Sequence, residues 1–218
     1  MTGRREQERS RTTRLRLMRA TAECLVELGW SGTTTTAVSE RAGVSRGAQL
    51  HHYPTRAELV VAAVEHVAVA RTEELLRTAD TLPRDGRRTL AVLELLAELY
   101  TGPLFEAAVE LWVAARTDPQ LHAVVMPLED RLGREGYRLA LELLGVDDTR
   151  AEIRDAVGAT LDLVRGFGLA NLLSDDRSRR SRLLRQWAAM LDAVLAEPAP
   201  GRDREPPTGA GSGTSVPV

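Results

Sequence analysis

Residues 29–59, GWSGTTTTAVSERAGVSRGAQLHHYPTRAEL, decide how this chain is read. They predict two short helices, at 34–42 and 46–52, joined by a tight turn, with a third helix opening at Thr55. Ala37, Val38 and Ala42 are expected on the inner side of the first. Gly43 tolerates the positive φ that a helix stop requires, Val44 fills the gap between helices, and Ser45 suits an N-cap. The second helix carries Arg46, Gln49, His51 and His52, side chains able to bond to base edges and phosphates. This is helix-turn-helix geometry, in which the second helix enters a major groove.

The segment also resembles the tetracycline-repressor (TetR) family of bacterial transcription regulators. The resemblance rests on Gly29, Trp30, Thr33 and Thr34, on Ala42-Gly43-Val44-Ser45 and Gly47, and on His52-Tyr53-Pro54-Thr55-Arg56 with Leu59, in ungapped order. It implies an all-α protein with an N-terminal three-helix DNA-binding domain and a C-terminal helical domain for ligand binding and dimerisation. One departure is visible. Many members place Leu-Tyr where this chain has Gln49-Leu50, so a tyrosine often used on the DNA backbone is absent. Leu50 is therefore expected to take the core role, leaving Gln49 to face DNA. At Arg56 the resemblance implies a phosphate contact.

Composition agrees with packed helices. Aromatic residues make up only 4% of the 218, while Leu, Ala and Val dominate. The 29 basic side chains are all Arg. The net charge of −2 alone argues against a polyanionic partner, but its distribution reverses that: residues 1–56 hold 10 Arg against 5 acidic residues. A basic N-terminal module on an acidic body is the asymmetry expected where one end meets phosphate. The single cysteine, Cys24, falls at helical spacing with Leu17, Thr21 and Leu28 and is expected to be a buried apolar side chain. No long apolar run suggests a membrane span, and the charged start lacks the apolar stretch of a secretory signal, so a cytoplasmic location is expected.

The expected organisation is a flexible basic arm at 1–13, a helix-turn-helix domain at 14–58, a helical body at 59–197 and a disordered tail at 198–218. About nine or ten helices follow from the punctuation. Gly29 ends the first, and Gly102-Pro103, Asp118-Pro119 and Gly145 divide the body. Pro127 could kink or split its helix. Thr55-Arg56-Ala57-Glu58 and Thr149-Arg150-Ala151-Glu152 each read as a capping box.

Candidate DNA-contacting residues are Thr33, Thr34 and Thr36 at a helix start, then Ser45, Arg46, Gly47, Gln49, His51, His52, Tyr53 and Arg56. Adjacent His51 and His52 point in different directions on a helix, and no Cys or carboxylate cluster accompanies them, so no metal is expected. A short recognition helix reads few base pairs, which favours a homodimer on a two-fold operator in double-stranded DNA. The expected dimer stripe is Ile153, Val157, Thr160, Leu161, Val164 and Gly168, with Leu184, Trp187 and Leu191. An apolar pocket for a small-molecule effector is expected among Leu95, Leu99, Tyr100, Phe105, Val109, Trp112, Met126 and Phe167. The scarcity of inward charges leans toward a greasy or aromatic ligand. A ligand-independent regulator, or an activator controlled by abundance or a protein partner, is the alternative. No nucleophile–base pair, metal-ligand spacing or Gly-rich phosphate loop points to an enzyme or a cofactor.

Overall fold

The computed structural model describes residues 2–79 and 81–196, so the tail expected at 198–218 lies outside the described residues. Among the described residues there are nine helices and no strand. They are α1 (Thr2–Gly32), α2 (Thr35–Ala42), α3 (Arg46–His52), α4 (Arg56–Ala79), α5 (Arg88–Tyr100), α6 (Pro103–Ala115), α7 (Pro119–Leu144), α8 (Ala151–Asn171) and α9 (Arg177–Ala196).

Local chemistry accounts for most boundaries. α6 and α7 both open on proline, whose missing N–H costs no bond in a first turn. Asp118 caps α7, its carboxylate accepting from the Gln120 and Leu121 amides at 3.0 and 3.1 Å. The helix stops at Gly145 in the left-handed region, φ 71°. Pro127 does not split α7, which runs through it.

Two terminal expectations fail. Residues 2–13 are not a flexible arm but the first turns of α1, although among the described side chains the first buried one is Leu17. Extending a helix that is already nucleated adds a bond for each residue fixed, so a polar stretch of good helix formers follows its neighbour. The capping box at Thr149 does not form either. The Thr149 hydroxyl donates to Asp147 Oδ1 at 2.5 Å, and α8 starts at Ala151 with no side-chain cap.

Three apolar clusters organise the packing. Leu17, Ala20, Cys24, Val38 and Leu59 form a small core under α1–α3, with Ala42, Val44 and Tyr53 packed against it. A second joins α1, α4, α6 and α7 through Leu25, Val60, Val64, Leu111 and Leu128. The largest holds α5, α7, α8 and α9 together.

That last core absorbs the stripe expected to dimerise. Ile153, Val157, Thr160, Leu161, Val164, Gly168, Leu184 and Leu191 are all buried within this one chain. Trp187 is half-buried, and its Nε1 donates to Thr160 Oγ1 at 2.9 Å. Gly168 lies so close to α5 that an added Cβ would sit 2.1 Å from the Tyr100 carbonyl oxygen. The stripe is consumed by packing α8 and α9 onto α5. What these helices expose instead is Leu169 and Leu173 near the end of α8, with Leu183 and Met190 on α9.

Candidate nucleic-acid interface

The helix-turn-helix is built from capping bonds. Thr34 caps α2, its hydroxyl oxygen accepting from the Ala37 amide at 3.1 Å. Gly43 ends α2 at φ 62°, ψ 39°, and the Val44 amide returns to the Ser39 carbonyl at 3.0 Å. Ser45 then caps α3, accepting from the Ala48 amide at 3.2 Å. These bonds fix the angle between α2 and α3 before any tertiary contact is counted.

Which side of α3 faces outward is settled by burial. Arg46, Gly47, Leu50 and His51 are exposed, while Ala48 and His52 are half-buried. Gln49 has no exposed surface at all. Its Oε1 accepts from the Ser39 hydroxyl at 3.0 Å, and its Nε2 lies 3.5 Å from the Tyr53 carbonyl. Gln49 is therefore removed from the base-reading set, and Leu50, expected in the core, takes its place outside. The reason is register. Arg46 and Leu50 are four apart and share a face, whereas Gln49 turns back toward α2. The resemblance itself carried this signal: Gln49 occupies the family's leucine position and Leu50 its tyrosine position.

Two other expected contacts are also engaged internally. Thr33 is buried, and its hydroxyl donates to the Gly29 carbonyl at 2.7 Å. Thr34 and Thr36 remain exposed at the start of α2, where first-turn amides lack intrahelical acceptors. Arg56 is half-buried, with its guanidinium 3.7 Å above the Trp30 ring centroid. Its Nη2 donates to the Trp30 carbonyl, its Nε has no hydrogen-bond partner, and burial lowers its pKa. A guanidinium stacked on an indole and bonded to a carbonyl is a packing element, a role that the expected phosphate contact did not include. The sequence hides this because Trp30 and Arg56 are distant in the chain.

The Trp30 backbone is held from both sides. While Arg56 of α4 takes its carbonyl, Glu110 of α6 accepts its N–H at 2.8 Å. Gly29, at φ 65°, leaves room for that carboxylate; a Cβ there would fall 2.2 Å from Glu110 Oε2. Trp30 is thus the joint between the α1–α3 module and the body.

The outward surface of α3 is electropositive at Arg46, with Arg14 of α1 acting on both His52 and Tyr53. Burial pushes the His52 imidazole below its ordinary range, with Arg14 and His51 adding to the effect. Burial likewise raises the Tyr53 hydroxyl. Cys24 is buried, and its thiol is raised mainly by that burial.

In the body, a cavity of about 440 Å³ opens between α4, α5, α6, α7 and α8. Of the expected lining, Leu99, Tyr100, Phe105 and Trp112 are present. Met126 lines a neighbouring cavity of about 610 Å³, Leu95 and Phe167 pack into the body core, and Val109 does not line the 440 Å³ cavity. The cavity is not poor in charge: Glu129 and Arg165 are half-buried in its wall, and Arg71, Glu98 and Glu135 stand exposed at its rim. Helix periodicity does not separate these residues from a solvated face. Among the described residues, no helix is long and apolar enough to cross a membrane.

Residues 17–63 match the family model described as bacterial regulatory proteins, tetR family. The chain is 32% identical over 182 residues to the HTH-type transcriptional regulator CymR of Pseudomonas putida, covering 81% of this chain and 87% of that one. It is 27% identical to the HTH-type transcriptional regulator BetI of Paraburkholderia xenovorans, over 84% of this chain and 93% of the relative. In fold it is similar to a transcriptional regulator from Rhodococcus sp. Rha1, with a TM-score of 0.59, 22% identity and coverage of 82% and 95%.

Proposed function

The chain belongs to the TetR family of bacterial regulatory proteins, and from that premise we propose that it is a homodimeric repressor released from a two-fold operator by a small molecule. DNA binding and transcriptional regulation come with the family. The observation that carries the finer reading is the outward face of α3, where Arg46, Gly47, Leu50 and His51 stand together over a base locked by Gln49.

Each exposed group has a use in a major groove. Arg46 can bond guanine through two parallel hydrogen bonds, worth ~1–3 kcal/mol of discrimination. Leu50 offers an apolar surface to a thymine methyl. Gly47 has open space around it, so the helix backbone can lie close to the duplex. Thr34 and Thr36 flank the start of α2, where a phosphate can meet free amides.

A second copy is expected to dock on the exposed Leu169, Leu173, Leu183 and Met190 rather than on the buried stripe. Gly158 and Gly166 have open space around them, which permits close helix approach. Pairing would set two α3 helices on half-sites ~34–36 Å apart. The effector would occupy the 440 Å³ cavity. One face of α6 carries Phe105 and Trp112 into that cavity, and the same helix holds Trp30 through Glu110. A ligand that shifts α6 would therefore act on the module, and coupling of ~1–3 kcal/mol would change operator affinity ~5–150-fold.

Selection of bound DNA from a random pool tests the reading. The expected product is an inverted repeat, with Arg46→Ala losing preference at one base pair in each half-site. Enrichment of no repeated half-site, or an unchanged Arg46→Ala profile, overturns it. Sedimentation of a Leu169→Arg, Met190→Arg chain tests the dimer face. Monomers are expected, and an undisturbed dimer rules that face out.

A further inference from the structure

One end of the α8–α9 hairpin is left uncovered by its own chain. Leu169 is exposed in the last turn of α8, and beyond the helix Leu172 is exposed and Leu173 is 98% exposed. Gly166 and Ala170, exposed beside Leu169, leave room for another helix to approach closely. Clustered exposed leucines forgo the stabilisation of burial and mark a surface that awaits a partner.

The two flanks of α8 differ. On one, the Thr160 hydroxyl oxygen accepts from Trp187 Nε1 of α9. On the other, Arg165 lines the 610 Å³ cavity together with Trp112 and Ala115 of α6 and Val125 and Met126 of α7. That cavity is open, since Met126 remains 42% exposed in its wall. Trp112, Glu129 and Arg165 also line the 440 Å³ cavity, so whatever fills the first bears on the second.

Charge on the outward face separates by helix. α8 exposes Asp155 and Asp162, and Asp162 is 80% exposed even with Arg165 at 3.1 Å, which leaves room for a second cation. α9 exposes Arg182, whose Nη1 donates to the Ser178 carbonyl at 3.4 Å but which makes no ion pair among the described residues. The helices run antiparallel, with Arg150 Nη2 donating to the Val194 carbonyl, so Arg182 lies toward the leucine end. A second α8 crossing this one at a wide angle near Leu169 would use all of these features. Its Leu173 end would pass over the cavity flank, its acidic half would pass over α9, and a two-fold axis would make both contacts reciprocal.

We propose that the 610 Å³ cavity is the seat for the α8–α9 corner of a second copy of this chain. Leu173 of each protomer enters the cavity of the other, against Trp112, Val125 and Met126, while Asp162 meets the partner's Arg182. The inference rests on the homodimer reading and adds what the dimer completes, a wall shared with the effector cavity.

Disulfide trapping in the full chain, with Cys24→Ala as background, tests the seat. Chains carrying Leu173→Cys and Met126→Cys, mixed and oxidised, are expected to cross-link about tenfold or more faster than Leu173→Cys mixed with Val113→Cys. Val113 is 61% exposed and lines neither cavity. Sedimentation of the same chains reads dimerisation separately. Arg182→Glu and Asp162→Arg, each made in the parent chain, are expected to dimerise roughly threefold or more weakly alone and to regain parental affinity when mixed. That readout stands should a cysteine variant fail to fold. Dimers whose two cysteine mixtures cross-link at equal rates, or charge variants that gain nothing on mixing, overturn the seat and leave the homodimer standing. A parent chain that sediments as a monomer overturns both.

Discussion

The tetrapeptide Thr-Arg-Ala-Glu occurs at 55–58 in the helix-turn-helix region and at 149–152 in the body, and its two copies behave differently. At the head of α4 the box closes in both directions. The Glu58 amide donates to Thr55 Oγ1 at 3.1 Å, and the Thr55 amide donates to Glu58 Oε2 at 3.3 Å. Before α8, Asp147 takes both the Thr149 amide, at 3.0 Å, and its hydroxyl. Two residues ahead of the first copy, where Asp147 stands before the second, Tyr53 carries no carboxylate to compete. A capping motif is thus a statement about competition for one hydroxyl, and residues just outside the motif decide the outcome.

The same contrast extends to the two regions as wholes. In the module, short-range bonds at Thr34, Gly43 and Ser45 set the geometry, and the exposed groups of α3 follow from them. In the body, α8 carries an apolar stripe that could face its own core or a partner. The fit of Gly168 against α5 commits it inward.

The strongest challenge to this contrast is Gly168→Ala. Its Cβ would collide with backbone at 2.1 Å, so a loss of about 3 kcal/mol or more is expected, lowering Tm by roughly 6–12 °C. A Tm within experimental error of the parent's would mean that α8 is not committed to α5. Gly47→Ala, which meets nothing within 4 Å, serves as the control.

Next in size is Gln49→Ala, which leaves the Ser39 hydroxyl without its partner. Denaturant titration is expected to show a loss of ~1–3 kcal/mol, with base preference in the selected DNA unchanged. Relaxed preference at a base pair would return Gln49 to the reading face.

Arg56→Ala sharpens the joint. Losing the stack on Trp30 should cost about 0.5–2 kcal/mol of stability. Operator affinity should fall while its salt slope stays the same, because no phosphate contact is lost. A slope smaller by ~0.9 would instead restore the phosphate role.

The smallest and most direct comparison is between the two boxes. Thr55→Ala should destabilise by ~1 kcal/mol, whereas Thr149→Ala should stay within about 0.5 kcal/mol of the parent. Equal losses in thermal unfolding would show that the two segments work alike after all.

Much of the helix order was legible, because proline, glycine and capping residues act within a few positions of themselves. The α2–α3 turn was readable for that reason, as was the burial of Cys24. Gln49 and Leu50 were exchanged because hydrophobicity is a poor guide on a seven-residue helix, where a buried polar group can be fully bonded. The roles of Arg56 and Thr33 depended on carbonyls at Trp30 and Gly29, which local patterning does not reveal. Glu129 and Arg165 resemble ordinary surface charges until α6, α7 and α8 enclose them.

Sequence alone determined the all-α architecture, the helix-turn-helix and the basic module, since each depends on periodicity, capping chemistry or charge that neighbouring residues carry themselves. Only tertiary structure decided which side of α3 faces out, that the α8 stripe is spent inside one chain, and that Glu129 and Arg165 stand with aromatic rings in the wall of one cavity. Those outcomes depend on which distant surface each side chain meets, and a helical stripe specifies an angle around an axis without specifying what lies across it.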